Sequence, residues 1–216
     1  MWHTDNGGIV MRKTFYIIDD HEMLRSGTKN WIMTQSDWVC LGDSGTHEQA
    51  YQDFERMQKE GMLPSVLICD LNFYGENTGF DFIQKIHSLY PDVRVIVYSM
   101  FFAAGMVQNA MDSGANGYIS KNASSEELLD CMEKINGGGE FIQAELQTNL
   151  IKYNKITDAL TRREKEVMDL LLQRLSNDEI ANRLNIKKRA VENYISIIYE
   201  KTGVGDRGEL VMRYGQ

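Results

Sequence analysis

The sequence predicts two domains: an α/β domain built on a doubly wound, five-stranded parallel sheet, followed by a small all-α domain with helix-turn-helix spacing. Three observations carry that expectation. Up to residue 136, short β-branched and aromatic runs alternate five times with longer amphipathic segments, the pattern of a parallel sheet joined by crossover helices. From residue 157 onward no strand-like run occurs. The chain has 216 residues, 43% hydrophobic and 25% charged, enough for two cores of ordinary globular composition.

The elements follow in order. Residues 1–12 carry neither a basic n-region nor an apolar h-region and are expected to form a disordered leader, with Met11 as an alternative start. Strands are predicted at 15–19, 38–44, 66–71, 93–99 and 117–120; helices at 22–34, 47–60, 79–90, 103–113 and 124–136. These make a first domain of residues 13–136. The triple glycine at 137–139 ends the fifth helix, and weak periodicity beyond it predicts a linker over 137–156. The second domain, 157–216, holds helices at 161–174, 177–184, 188–201 and 207–213. Thr161 with Glu164, and Ser176 with Glu179, have the spacing of capping boxes at two of its helix starts.

Composition narrows the function classes. Cys40, Cys69 and Cys131 are an odd, scattered set that suits reduced thiols better than a disulfide framework or a zinc site. The most apolar stretch, 95–107, is too short to cross a bilayer, so no membrane partner and a cytoplasmic location are expected. The net charge of −8 at first argues against nucleic acid. It is unevenly spread: residues 1–154 hold 21 acidic against 11 basic side chains, a net −10, and residues 155–216 hold 12 basic against 10 acidic, a net +2.

In parallel α/β sheets, ligands sit beyond the carboxyl ends of the strands. Asp19 and Asp20 follow the first predicted strand, Asp70 ends the third, Ser99 ends the fourth and Lys121 follows the fifth. Converging carboxylates repel unless a hard cation such as Mg²⁺ sits among them, and a hydroxyl with an ammonium could hold phosphoryl oxygens. Singly, each residue reads as a cap, a turn filler or a solvated charge; the ordered set, each at a strand end, outweighs those readings.

The segments IIDDH (17–21), LICDL (67–71), VYSM (97–100) and GANGYISK (114–121) resemble the receiver domain of two-component response regulators, specifically the LuxR/NarL type. The resemblance implies that Asp70 accepts a phosphoryl group from a sensor histidine kinase. It implies Mg²⁺ held by Asp19, Asp20, Asp70 and the backbone carbonyl of Asn72, phosphoryl oxygens bound by Ser99 and Lys121, and Tyr118 as the aromatic readout. The family's Met-Pro pair after the phosphoacceptor is replaced by Phe73 and Tyr74, and the following glycine, Gly79, comes one position late. That departure is expected to alter kinase recognition or the lifetime of the phosphorylated state.

In the second domain the helix at 188–201 places Val191, Ile195 and Ile198 at core spacing and leaves Lys188, Arg189, Glu192, Asn193 and Ser196 on another face. Such a face suits the major groove, where Asn reads adenine and Lys or Arg reaches phosphate or guanine; a generic partner-binding bundle is the alternative. Residues 160–210 resemble the LuxR-type DNA-binding domain almost end to end, through LTRREKEV, LSNDEIANRL and IYEKTGVGDRGEL. The resemblance implies double-stranded DNA as partner, contacts from Lys187, Lys188, Arg189, Glu192, Asn193, Ser196 and Lys201, and a homodimer when phosphorylated. Glu192 stands where the family usually has lysine, and Tyr194 where it has histidine, so either Glu192 shifts the sequence preference or binding leans on Lys187, Lys188, Arg189 and Asn193. The chain is thus expected to be a DNA-binding transcription regulator and not an enzyme. A dehalogenase-type phosphotransferase needs a DxD motif at the first strand, which Asp19-Asp20 is not.

Overall fold

The computed structural model describes residues 4–5, 8–9, 13–71, 79–101 and 103–214. The chain divides into two compact units, residues 1–100 with 109–143 and residues 101–108 with 144–216. Up to residue 142 the elements are β1 (Thr4–Asp5), β2 (Gly8–Ile9), β3 (Thr14–Ile18), α1 (Glu22–Gln35), β4 (Val39–Ser44), α2 (His47–Glu60), β5 (Val66–Cys69), α3 (Gly79–Leu89), β6 (Arg94–Ser99), α4 (Ala104–Asp112), β7 (Gly117–Ser120), α5 (Ser125–Asn136) and β8 (Phe141–Ile142). β1 and β2 form a two-residue antiparallel pair inside the stretch expected to be a disordered leader.

The main sheet has the order β4-β3-β5-β6-β7-β8, and every pairing in it is parallel. It has six strands where the sequence predicts five. The extra one, β8, pairs Phe141 with Gly117 and Ile142 with Tyr118. The Phe141 N–H donates to the Asn116 carbonyl at 3.1 Å and the Gln143 N–H to the Tyr118 carbonyl at 3.1 Å. Two residues cannot display an alternation, so this strand exists only because the edge of β7 offers unpaired backbone groups.

The apolar strands are explained by burial on both faces. Phe15, Ile17, Val66, Ile68, Ile96 and Ile119 pack with Ile32 of α1 and with Leu128, Cys131, Met132 and Ile135 of α5 in one core. Intervening residues point to the other face, where Tyr16 meets Phe54 of α2 edge-on at 5.3 Å and Phe54 meets Tyr90 at 5.3 Å. The Tyr16 hydroxyl is buried there and donates to Asp53 Oδ2 at 2.8 Å. Burial pushes this phenol well above its ordinary pKa, so it stays a donor. Thr46 and Ser124 cap α2 and α5 with their side-chain oxygens, and Gly61 ends α2 in the left-handed conformation at φ 66°.

The second unit contains α6 (Ala144–Ala159), α7 (Arg162–Leu172), α8 (Asn177–Leu184), α9 (Lys188–Thr202) and α10 (Arg207–Tyr214). α6 occupies most of the expected linker. Only Leu146 on it is buried, which accounts for the weak periodicity of that stretch. Both predicted capping boxes form: Thr161 N–H donates to Glu164 Oε2 and Ser176 N–H to Glu179 Oε2, each at 2.7 Å. α8 closes on Asn185 at φ 52°, a left-handed cap that turns the chain directly into α9. Val167, Met168, Leu171, Ile180, Val191, Ile198 and Leu210 form the core of this bundle, with α9 against both α7 and α8. None of the described helices is long and apolar enough to cross a membrane.

Candidate functional site

Strand register assembles the acidic site. Ile18 is the partner of Cys69, so the next residues, Asp19 and Asp70, emerge side by side; the Asp70 N–H still donates to the Ile18 carbonyl at 3.0 Å. β3 and β5 are neighbours, and the chain runs from β3 to β4 on one side and from β5 to β6 on the other, so the two connections diverge and open a crevice at the carboxyl ends of these strands. Ser99 ends β6 opposite Ser120 of β7, and the next N–H, that of Lys121, donates to the Ser99 carbonyl at 2.9 Å. Four strand ends thus deliver Asp19, Asp20, Asp70, Ser99 and Lys121 to one end of the sheet.

The Lys121 ammonium bridges the acids, 2.7 Å from Asp19 Oδ2 and 2.6 Å from Asp70 Oδ2, and all three side chains are 3–5% exposed. Burial by itself lowers the Lys121 pKa, but the two carboxylates more than offset it and hold the ammonium above its ordinary value. The other oxygens are oriented by backbone: Asp70 Oδ1 accepts from the Leu71 N–H at 2.7 Å and Asp19 Oδ1 from the His21 N–H at 2.8 Å. His21 Nδ1 lies 2.8 Å from Asp20 Oδ1. Asp19, Asp20, His21 and Asp70 each offer a ligand atom, all within 4.8 Å of one another. Three carboxylates among those donors suit a hard divalent cation such as Mg²⁺.

Ser99 and Tyr118 are both wholly buried, and their side chains share a hydrogen bond. Burial first, and then the Asp70 charge, raise the Tyr118 phenol well above its ordinary pKa, so it remains protonated. Asn72, Phe73 and Tyr74 lie outside the described residues. Beyond them Gly79 starts α3, its N–H donating to the Leu71 carbonyl at 3.1 Å. A Cβ on Gly79 would stand 2.6 Å from Leu71 Cα, so the returning chain requires glycine there.

In the second unit Val191, Ile195 and Ile198 of α9 are buried as predicted, and Lys187, Lys188, Arg189, Glu192, Asn193 and Ser196 are exposed. Lys188 Nζ lies 2.8 Å from Asp178 Oδ2 of α8, and the Ser196 hydroxyl donates to the Glu192 carbonyl at 3.1 Å. Lys201 is separated from this group. It lies nine residues beyond Glu192, about two and a half helical turns, and so on the opposite side of α9. Its ammonium is 2.7 Å from the buried Glu164 carboxylate and donates to the Ala159 carbonyl at 3.1 Å.

Sequence reasoning did not find His21 or Arg25. The latter's Nη1 donates to the Asp19 carbonyl at 2.6 Å. The only sequence signal was spacing: Arg25 is one helical turn after His21, so its side chain leans back toward the strand end.

Residues 15–133 match the family model for the response regulator receiver domain. The chain belongs to the response regulators. This response regulator carries a second match, over 158–214, to the bacterial regulatory proteins of the luxR family, which makes it a receiver joined to a LuxR-type DNA-binding domain. It is 29% identical to the transcriptional regulatory protein DegU of Brevibacillus brevis, over 91% of this chain and 90% of that one. It is 27% identical to the response regulator protein VraR of Staphylococcus aureus, over 90% and 92% respectively. Among solved structures, RcsB from Salmonella enterica serovar Typhimurium bound to promoter rprA matches with a TM-score of 0.68 at 21% identity, over 92% of this chain and 96% of that chain. A likeness at that identity shows a common fold.

Proposed function

We propose that Asp70 is the phosphoacceptor of this response regulator, taking its phosphoryl group from a sensor histidine kinase. The Asp70 carboxylate attacks phosphorus, and an O–P bond forms as the donor's bond to phosphorus breaks. Asp19, Asp20, Asp70 and the carbonyl of Asn72 would hold a Mg²⁺ ion, which when bound would neutralise charge on the transferring group. Lys121 then exchanges its contact with the Asp70 carboxylate for a phosphoryl oxygen, and the Ser99 hydroxyl donates to another. Tyr118, coupled to Ser99, reports the state of that hydroxyl to the face of β7. The observation that supports this reading is the buried ion cluster: two carboxylates from neighbouring strands converge on one lysine, with a third carboxylate beside them.

In the same reading the LuxR-type domain binds double-stranded DNA through the N-terminal half of α9. Lys187, Lys188 and Arg189 meet phosphate or guanine, Asn193 reads adenine, Glu192 accepts from cytosine N4, and Ser196 lies at the edge of the contact. Lys201 joins α9 to α7 instead. With a net charge of only +2 on residues 155–216, one copy binds weakly, so phosphorylation acts by favouring a homodimer on two half-sites. The protein works in the cytoplasm, and the residues at 73 and 74 tune kinase choice or phosphoryl lifetime.

Incubation with acetyl phosphate and Mg²⁺ tests the first half: intact mass should rise by one phosphoryl group in the wild type and not in Asp70→Asn. Equal labelling of both, or of neither, rejects Asp70 as the acceptor. Genomic selection of bound fragments followed by sequencing tests the second half and returns the operator; recovery of no enriched fragment rejects it.

A further inference from the structure

Arg25 sits behind the acidic site, where the main chain that carries both metal-binding acids has its own support. Its N–H closes the first turn of α1 on the His21 carbonyl at 3.0 Å. The side chain then forks: Nε donates to Asp43 Oδ2 at 2.9 Å, and Nη1 donates to the Asp19 main-chain carbonyl at 2.6 Å. The second Asp43 oxygen accepts from Lys29 Nζ at 2.5 Å. Asp43 lies on β4 opposite Ile17, two residues before Asp19, so the guanidinium links α1, β4 and the end of β3. The path is narrow: a Cβ on Gly45 would stand 3.1 Å from Arg25 Nη1.

The bonded carbonyl belongs to the peptide that joins Asp19 to Asp20. Its plane sets the direction in which both carboxylates leave the backbone. Lys121 and the His21 N–H fix the Asp19 side chain; Arg25 fixes the main chain beneath it. The Arg25 and Asp43 side chains are 15% and 22% exposed, so their pairing is shielded from most of the solvent. Burial pushes the Asp43 carboxyl up, but Lys29 and Arg25 more than offset this and hold it below its ordinary value, which keeps the anchor charged. A lysine cannot replace the fork, because one ammonium lacks the planar donors that span two acceptors in fixed geometry.

We propose that Arg25 is a positioning residue of the cation and phosphoacceptor site, holding the Asp19–Asp20 peptide through its main-chain carbonyl, with Asp43 and Lys29 as its brace. The proposal rests on the reading of Asp19, Asp20 and Asp70 as cation ligands around the phosphoacceptor. Groups that orient metal ligands typically change metal affinity by about 10–100-fold when lost. Such a loss moves the cation requirement and leaves the attacking carboxylate itself intact.

The test uses the full chain as wild type, Arg25→Ala, Arg25→Lys and Asp43→Asn. Two quantities are measured: the Kd for Mn²⁺ by water proton relaxation, and the Mg²⁺ concentration giving half-maximal labelling of Asp70 by acetyl phosphate. Arg25→Ala is expected to raise both about tenfold, Asp43→Asn to raise both by a smaller factor, and Arg25→Lys not to restore them. Labelling at saturating Mg²⁺ should stay within about twofold of wild type, a split that general unfolding would not produce. Should Arg25→Ala fail to fold, Asp43→Asn and Arg25→Lys decide by the same two quantities. Unchanged Mn²⁺ affinity in the folded variants, or lower maximal labelling with unchanged half-saturation, overturns the proposal. Mn²⁺ binding without labelling of the wild type rejects the phosphoacceptor reading alone, because the Mn²⁺ series still judges the brace. A wild type that binds no Mn²⁺ overturns both.

Discussion

The carboxyl end of the sheet and the exposed face of α9 both carry charge, but they hold it in opposite ways. At the sheet, the Asp19, Asp70 and Lys121 side chains are almost wholly buried, and both carboxylates are in direct contact with the ammonium. On α9, Lys188 and its partner Asp178 are more than half exposed, and Arg189, Glu192 and Asn193 face solvent. A buried cluster makes each group's energy depend on its neighbours, because low dielectric strengthens every pairing and penalises every unpaired charge. An exposed face divides its effect among many weak, screened contacts. The contrast suits a chemical site that turns on individual atoms and a reading site that sums over a surface.

Several substitutions can break or sharpen this contrast, in descending order of effect. Asp70→Asn should abolish phosphoryl labelling while leaving DNA binding by the unphosphorylated chain unchanged; mass spectrometry with gel shifts checks both. Lys121→Ala leaves two carboxylates facing each other, and should cost about 3 kcal/mol in the absence of divalent cations, most of it recovered in millimolar Mg²⁺. Urea denaturation with and without Mg²⁺ reads this, and a loss indifferent to the ion would remove the cluster from the comparison. Arg189→Ala should weaken DNA binding by about 1–2 kcal/mol and reduce the slope of log K against log salt by about one. Glu192→Lys should tighten binding to all sequences and relax the preferred site; if neither changes, Glu192 has no direct role.

A smaller effect is expected away from both sites. Lys201 first, and then the Thr161 N–H, hold the Glu164 carboxyl below its ordinary 4.5. Between that depressed value and 4.5 the unfolded chain binds a proton that the folded chain has released. The stabilisation is therefore complete above pH 4.5 and lost as pH falls through the folded value. Glu164→Gln keeps a capping side chain but loses the charge. It should cost about 1 kcal/mol at pH 7, with the difference from wild type shrinking in acid, as followed by denaturation at several pH values. Asp178→Asn, which breaks only the exposed pair with Lys188, should leave the denaturation midpoint unchanged.

The strands that run through the core were legible because burial on both faces forces continuous apolar runs, as in Phe15 to Ile18 and Val66 to Cys69. The capping boxes were legible because the hydrogen bonds they make span three residues. β8 was not, because its two residues pair with an edge that exists only after folding. α6 was not, because a helix with one buried side chain leaves no stripe. The sequence order was enough to place Asp19, Asp20, Asp70, Ser99 and Lys121 at strand ends on one end of the sheet. It could not show Arg25, whose partners Asp43 and the Asp19 carbonyl are reached across two other elements.

By itself the sequence determined the two-part organisation, the types of the long elements and the identity of the acids at the strand ends, since periodicity and local hydrogen bonding are properties of neighbours along the chain. It also determined that the acidity belongs to the first part and a slight basicity to the second. Only the tertiary structure decided which charges meet: Lys121 with both Asp19 and Asp70, Arg25 with the backbone beneath them, and Lys201 with Glu164 rather than on the exposed face of α9. Pairings at long sequence separation are set by strand register and by the side of a helix on which a residue falls, and one residue of shift in either sends the same charge to solvent.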